Sequence, residues 1–217
     1  MSSLNSKEFF KDSFILIISG IAYFIISVLT PMNKELINVY ANLPWGVFTS
    51  LFIYDGWQNV IFFTICIFLL FAFNFRLPKL NVKSRALFST ASMFIIGLIA
   101  NVFWVIRNPL LGEYGQSGVV FALYGIVFAF SFSQISYIFE DLKRGWRSLN
   151  FKERRKLKIS ISILVIPTLI FLQLTVNVGQ FLNENNGVAY QVHGVSFFLG
   201  ILFGFLFIFF KEVPRHL

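Results

Sequence analysis

The sequence has few charged residues and a single cysteine. Only 13% of its 217 residues are Asp, Glu, Lys or Arg, whereas 57% are apolar. A chain of this composition cannot cover a folded domain with polar surface, which excludes an ordinary soluble globular protein. The lone cysteine, Cys66, excludes an intramolecular disulfide, and we interpret it as a small packing residue.

Long polar segments are also missing, whereas long apolar runs recur along the chain. Residues 1–217 therefore predict a single membrane domain whose spans are joined by short loops. Each run is long enough to cross ~30 Å of hydrocarbon as a helix. The runs cover residues 13–30, 56–73, 86–106, 116–138, 159–178 and 189–210. Because they lack strand-like alternation, we predict an all-α membrane protein with six transmembrane helices.

Lysine and arginine are distributed unevenly between alternate loops. Sixteen of the eighteen lie in the two tails and in the loops after the second and fourth spans; only Lys34 and Arg107 lie on the other side. Because basic residues resist translocation, this pattern predicts that both ends are cytoplasmic and that spans two, four and six begin outside. The net charge of +8 is then a topology signal in a multi-pass protein of the cell membrane, and no nucleic-acid partner is expected.

Ionisable groups are scarce inside the predicted spans, and His193 is the exception. It lies about one turn into the sixth span, where a histidine either serves a function or hydrogen-bonds a neighbouring helix. On the same outer side, the fourth span opens with Gly115-Gln116-Ser117-Gly118. By itself this sequence is weak evidence of a nucleophile, since small residues are common wherever membrane helices pack closely.

Two stripes of small residues connect the serine with the histidine. The fourth span carries Gly118, Ala122, Gly125 and Ala129 at i, i+4, i+7 and i+11, and the sixth carries His193, Ser196, Gly200 and Gly204 at i, i+3, i+7 and i+11. Each set lies on one helix face and allows close approach of a neighbouring backbone. If the faces pack, Ser117 meets His193, whose imidazole can take the hydroxyl proton as a base. The spans contain no Asp or Glu, so we predict a dyad.

Residues Gly115 to Gly125 resemble the fourth-helix signature of the rhomboid intramembrane serine proteases, with Ser117 in the nucleophile's place. The sequence of His193, Ser196 and Gly200 resembles the family's sixth-helix pattern, and the predicted six-span layout agrees. The resemblance implies a rhomboid-like bundle that cuts transmembrane protein substrates near the outer face, without metal or cofactor. It also implies that the Phe121 ring faces His193.

The second span departs from the family's pattern. The segment from Trp45 to Gly56 resembles the family's first outer loop, although Gly46 replaces the arginine after the tryptophan. Tyr54, Asn59 and Phe63 occupy the places of two histidines and an asparagine, of which the second histidine and the asparagine stabilise the oxyanion in rhomboids. Asn59 still carries an amide that can donate, and its alternative role is an interhelical hydrogen bond.

Three hypotheses stay open at this point. The first is an intramembrane serine protease with a Ser117/His193 dyad, in which the backbone N–H of Ser117 and the Asn59 amide are the oxyanion candidates. The second, motivated by Tyr54, Asn59 and Phe63, is a rhomboid-like pseudoprotease that binds transmembrane helices without cutting them. The third is a small transporter or channel, which would require charged or repeated polar groups at the bilayer midplane. The sequence indicates no oligomeric state.

Overall fold

The computed structural model describes residues 14, 17, 18, 20–22, 25, 46–52, 57–76, 82–107, 117–176 and 190–212. Over these residues the chain is helical and contains no strand, which confirms the predicted all-α class for that part of the chain. The helices are α1 (Gly46–Thr49), continued by a 3₁₀ turn (Ser50–Phe52), α2 (Trp57–Arg76), α3 (Val82–Arg107), α4 (Ser117–Phe132), α5 (Gln134–Arg144), α6 (Phe151–Val176) and α7 (Tyr190–Glu212).

Three helical stretches of the described chain are long and apolar enough to cross a membrane. They are Leu87–Arg107, Ser117–Arg144 and Gln191–Phe210, and a shorter apolar helix covers Asn59–Phe73. These stretches support the prediction that the chain is a membrane protein. The six-span layout with cytoplasmic ends stays a prediction, and most of the predicted first span, residues 13–30, lies outside the described residues.

Helix α4 lies at the centre of the bundle. All of its residues except Phe128 and Phe132 are buried, and α2, α3, α6 and α7 each pack against it. A helix that is apolar and buried on every side has no solvent-facing stripe, as expected for the innermost helix of a bundle. Residues near the start of α4, including Ser117, are therefore surrounded by other helices.

Ring contacts show that α2 runs in the same direction as α4. Phe62 lies near Phe121, close to the start of both helices, with ring centroids 5.7 Å apart. Toward the other end, Phe73 and Phe130 lie 5.9 Å apart. The beginnings of α2 and α4 are therefore at the same end of the bundle, which is the arrangement that two spans beginning on one side of a membrane require.

Helix α6 runs in the opposite direction to α4 and α5. The Tyr124 hydroxyl donates to the Pro167 carbonyl oxygen at 2.6 Å, and the Ser160 hydroxyl donates to the Gln134 side-chain oxygen at 3.3 Å. Later positions in α4 and α5 thus meet earlier positions in α6. The α6 helix continues on both sides of Pro167, although a proline removes one backbone hydrogen bond there.

The helical stretch that covers the predicted span 116–138 has one irregular residue. Helix α4 ends at Phe132 and α5 begins after Ser133, but Ser133 keeps helical φ and ψ of −61° and −18°, so the stretch Ser117–Arg144 continues through it. The Ser133 hydroxyl and N–H both donate to the Phe130 carbonyl oxygen, at 2.7 and 3.1 Å, which competes with the regular helical ladder.

The helix of the predicted fifth span begins at Phe151, well before residue 159. Asn150 and Glu153 form a reciprocal capping pair: the Glu153 N–H donates to Asn150 Oδ1 at 3.0 Å, and the Asn150 N–H donates to Glu153 Oε2 at 2.8 Å. The helix therefore includes the basic run that the hydropathy pattern assigned to a loop.

Candidate functional site

The backbones of α4 and α7 approach closely at Gly125 and Gly200. A Cβ atom added to Gly125 would lie 3.0 Å from the Cα of Gly200, and one added to Gly200 would collide with the Ala122 carbonyl oxygen. One turn further along, a Cβ atom on Gly204 would lie 2.6 Å from the Cβ of Ala129. The two small-residue stripes therefore pack face to face. Larger side chains at these positions would hold the two helices further apart.

The first turns of α4 and α7 lie side by side. A Cβ atom added to Gly118 would lie 3.1 Å from the Val192 side chain and 3.4 Å from the Ser196 hydroxyl. Ser117 immediately precedes Gly118 and His193 immediately follows Val192, so the two candidate catalytic residues lie on neighbouring turns. Ser117 is 4% exposed and His193 9% exposed. Both helices begin at this end of the bundle.

The His193 imidazole stacks on the Phe121 ring. Their centroids are 4.4 Å apart and their planes differ by 8°. Phe121 lies one helical turn after Ser117, and residues at i and i+4 share a face. The stack therefore holds the imidazole next to the turn that carries the Ser117 hydroxyl. Phe62 of α2 packs against the same Phe121 ring and encloses the pair further.

Ser117 is the first residue of α4, and this position has electrostatic consequences. The first N–H groups of a helix have no intrahelical acceptor, and the aligned peptide dipoles place partial positive charge at this end. A negatively charged oxygen that formed beside Ser117 would be stabilised by both effects. The start of α4 thus combines a hydroxyl, a neighbouring imidazole and a favourable field for an oxyanion.

Asn59 lies in α2 at about the same depth as Ser117. It is partly buried and comes one turn before Phe62, while Ser117 comes one turn before Phe121, the ring that Phe62 contacts. Because α2 and α4 are parallel, these offsets bring Asn59 and Ser117 to a common level. Phe63 is buried beside Gly20, where a Cβ atom would lie 3.3 Å from the Phe63 ring.

Two of the predicted residues lie outside the described chain. Gly115, at the start of the Gly-x-Ser-Gly sequence, is one of them, and Tyr54 in the first outer loop is the other. Apart from Asn59 in α2, the other predicted site residues come together along the α4–α7 interface: Ser117, Gly118, Phe121, Gly125, His193, Ser196 and Gly200.

Sequence reasoning missed Asn101, a buried residue of α3. Its amide donates to the Val47 carbonyl oxygen at 3.1 Å and to the Ser50 hydroxyl at 2.9 Å. One turn earlier, a Cβ atom on Gly97 would lie 3.0 Å from the Leu51 side chain. These contacts attach the Gly46–Phe52 segment to the end of the bundle where α4 begins. A polar amide within the predicted span 86–106 is the signal that would have identified it.

The described site contains an unusual buried hydroxyl. Ser196 Oγ is fully buried beside Gly118, and it has no hydrogen-bond partner among the residues that the structure describes. Within the same described ranges, no three His, Cys, Asp or Glu side chains are grouped so that they could hold a metal ion. The chemistry that the described side chains offer here is therefore that of a hydroxyl, an imidazole and an amide.

Comparisons of the chain with protein-family models, with curated proteins and with solved structures found no match.

Proposed function

We propose that this protein is an intramembrane serine protease of the rhomboid type. The observation that supports it most is the Phe121–His193 stack at the start of two closely packed parallel helices. This stack keeps a titratable imidazole beside the turn of Ser117, the first residue of a buried helix.

In the proposed reaction, Ser117 Oγ attacks the carbonyl carbon of a peptide bond while His193 takes the hydroxyl proton. The resulting oxyanion accepts hydrogen bonds from the Ser117 backbone N–H and from the Asn59 amide. His193 then gives its proton to the departing amine, and the peptide bond breaks to leave an ester on Ser117. Water attacks this ester with His193 again as the base, which releases the second product and restores the serine.

The proposed substrate is a membrane protein with a single transmembrane helix. Its peptide bond must leave the regular helical ladder to become reachable, and this is easiest near the membrane surface, where water can satisfy the freed groups. The uneven distribution of Lys and Arg supports an inside N-terminus, six spans and a site toward the outer face. The parallel directions of α2, α4 and α7 are consistent with that topology.

One observation favours the alternative, a pseudoprotease that binds transmembrane helices without cutting them. Phe63 occupies the place of the rhomboid asparagine, and its buried ring contributes to the apolar core. A phenyl ring cannot donate a hydrogen bond to an oxyanion. Loss of one oxyanion donor lowers rates by roughly 10²- to 10³-fold, so a slow enzyme and an inactive binder must be separated by experiment.

The deciding experiment is active-site labelling of purified protein with a fluorophosphonate probe. We expect labelling of the wild type, and no labelling of Ser117→Ala or His193→Ala. Ser131→Ala is a matched control, because Ser131 is a buried serine at the far end of α4 and should not affect labelling. Labelling that survived Ser117→Ala would contradict the proposed nucleophile. No labelling of the wild type, with no cleavage of a transmembrane substrate, would favour the pseudoprotease.

A further inference from the structure

Helix α5 and the first turns of α6 form an antiparallel pair, here called the basic hairpin (Gln134–Ser160). Gly145 ends α5 with a positive φ of 81°, a conformation that favours glycine, and its N–H donates to the Leu142 carbonyl oxygen at 3.0 Å. The Asn150–Glu153 capping pair then starts α6. The hairpin thus has a defined turn with hydrogen bonds on both sides.

The hairpin projects from the apolar part of the bundle. The helical stretch Ser117–Arg144 has 28 residues and would be about 42 Å long, which exceeds the ~30 Å of a hydrocarbon core. Its partner carries no Asp, Glu, Lys or Arg from residue 159 to residue 176. The buried Gln134–Ser160 hydrogen bond therefore marks the edge of the hydrocarbon, and the rest of the hairpin lies at headgroup depth or beyond it.

The hairpin is strongly basic. The hairpin contains eight Lys or Arg residues, all between residues 143 and 158, and three acidic residues, Glu140, Asp141 and Glu153. Glu153 caps α6, and its other oxygen lies 3.9 Å from Arg144. Three carboxylates cannot neutralise eight cations, so the hairpin presents a net positive surface next to the membrane.

Large apolar side chains are exposed among these cations. Phe139, Leu142, Trp146 and Phe151 are 59%, 55%, 45% and 81% exposed. Exposed apolar side chains next to basic residues are typical of segments at the membrane interface. A surface that only contacted water would not need this apolar area.

Trp146, Arg154 and Lys158 form the best defined part of this surface. The Arg154 guanidinium lies 5.5 Å and the Lys158 ammonium 5.9 Å from the centre of the Trp146 ring system. Arg154 Nε donates to the Leu149 carbonyl oxygen at 2.9 Å, which orients the guanidinium and uses one of its five N–H groups. Arg154 and Lys158 are four residues apart on one helix face, so both can reach a single phosphate.

We propose that the basic hairpin binds an anionic phospholipid of the adjacent leaflet, with Arg154 and Lys158 on the lipid phosphate and the Trp146 ring packed against both cations. The depth agrees with this assignment. At a rise of 1.5 Å per residue, the Cα atoms of Lys158 and Arg154 lie about 3 and 9 Å beyond Ser160. Lys158 therefore falls within a headgroup layer roughly 5–8 Å thick, and the long Arg154 side chain needs to reach back only about 1–4 Å to enter it. The proposal requires insertion in a membrane and is independent of the protease chemistry.

The test uses the full-length protein in mild detergent and native mass spectrometry. Phosphatidylglycerol and phosphatidylcholine with identical acyl chains are added in equal amounts, and the retained lipids are counted. We expect the wild type to retain phosphatidylglycerol preferentially. The double variant Arg154→Gln/Lys158→Gln should bind it about tenfold to thirtyfold more weakly, because each basic residue near an anionic surface contributes a few-fold in affinity.

A matched control removes two charges from another face of the same helix. Lys152→Gln/Lys156→Gln should retain phosphatidylglycerol within about twofold of the wild type, since lysines on that face do not border Trp146. An equal loss of phosphatidylglycerol binding in both double variants would show that binding depends on the net charge alone. That result would contradict the proposed site. A wild type without preference for phosphatidylglycerol would also overturn it. If the double variant unfolded at lower temperature, Lys158→Gln alone should still weaken binding about fivefold.

Discussion

The imidazole of His193 lies parallel to the Phe121 ring at a centroid distance of 4.4 Å. The two rings come from helices whose backbones are close enough to meet only because Gly125 and Gly200 have no side chains. Packing thus determines where the histidine can be: the glycines bring α7 against α4, and the ring stack then sets the orientation of the imidazole beside the turn of Ser117. If His193 is the catalytic base, Phe121 is a positioning residue.

Phe121→Leu should lower turnover with little change in the apparent affinity for substrate. The variant keeps an apolar side chain but loses the ring face, an interaction of about 0.5–1.5 kcal/mol, so we expect turnover to fall roughly threefold to tenfold. Phe121→Tyr should restore most of the rate because it restores the ring. Steady-state cleavage assays check this, and a rate equal to the wild type in Phe121→Leu would remove the stack from the mechanism.

Gly125→Ala and Gly200→Ala should each destabilise the protein. The added methyl group meets backbone atoms of the facing helix, and overpacking of this kind costs about 1–3 kcal/mol. Gly194→Ala is the matched control in α7, because a Cβ atom there meets nothing within 4 Å, and its helix propensity should improve stability by up to ~1 kcal/mol. Thermal unfolding in detergent measures the difference, and equal midpoints for all three variants would contradict the packing.

Asn59→Ala should slow cleavage while leaving thermal stability within the error of the wild type. Asn59 is at the depth of Ser117, where its amide can donate to the oxyanion, and loss of such a donor lowers turnover roughly 10²- to 10³-fold. If Asn59 instead makes an interhelical hydrogen bond, the temperature of the unfolding midpoint should fall in Asn59→Ala. The turnover per folded molecule should then equal that of the wild type. The two measurements on one sample therefore distinguish an oxyanion donor from an interhelical hydrogen bond.

Asn101→Leu should release the Gly46–Phe52 segment from α3. Two hydrogen bonds are lost, to Val47 and Ser50, and the buried acceptors that remain each cost about 1–3 kcal/mol. Hydrogen exchange of residues 46–52 should become faster in this variant than in the wild type. Thr64→Val is a control, since the exposed Thr64 hydroxyl donates only within its own helix, to Val60. Unchanged exchange in Asn101→Leu would mean that other contacts hold the segment.

The α4–α7 interface could be predicted from sequence because residue size and helical periodicity are both local properties. The spacing of Gly118, Gly125, Gly200 and Gly204 is sufficient to define two matching faces. The cap that starts α6 is also predictable from sequence, since Asn150 and Glu153 have the spacing of a capping box. The hydropathy pattern by itself does not indicate this cap.

Other features depend on pairs that a local pattern cannot identify. The partners of Asn101 are 54 and 51 positions away, so the sequence shows a buried amide without showing what it binds. The irregular residue between α4 and α5 coincides with the Ser133 hydroxyl bond to the preceding turn, whereas Ser131 makes the same bond within α4 without any irregularity.

The central claim is that Ser117 cuts a peptide bond within a transmembrane helix. Its most direct test is the cleavage of a single-span substrate by the purified protein in proteoliposomes, with the products identified by mass spectrometry. We expect one cut near the outer end of the substrate helix by the wild type and by Ser131→Ala, and none by Ser117→Ala. Cleavage that persisted in Ser117→Ala, or a wild type that binds such helices and never cuts them, would contradict it.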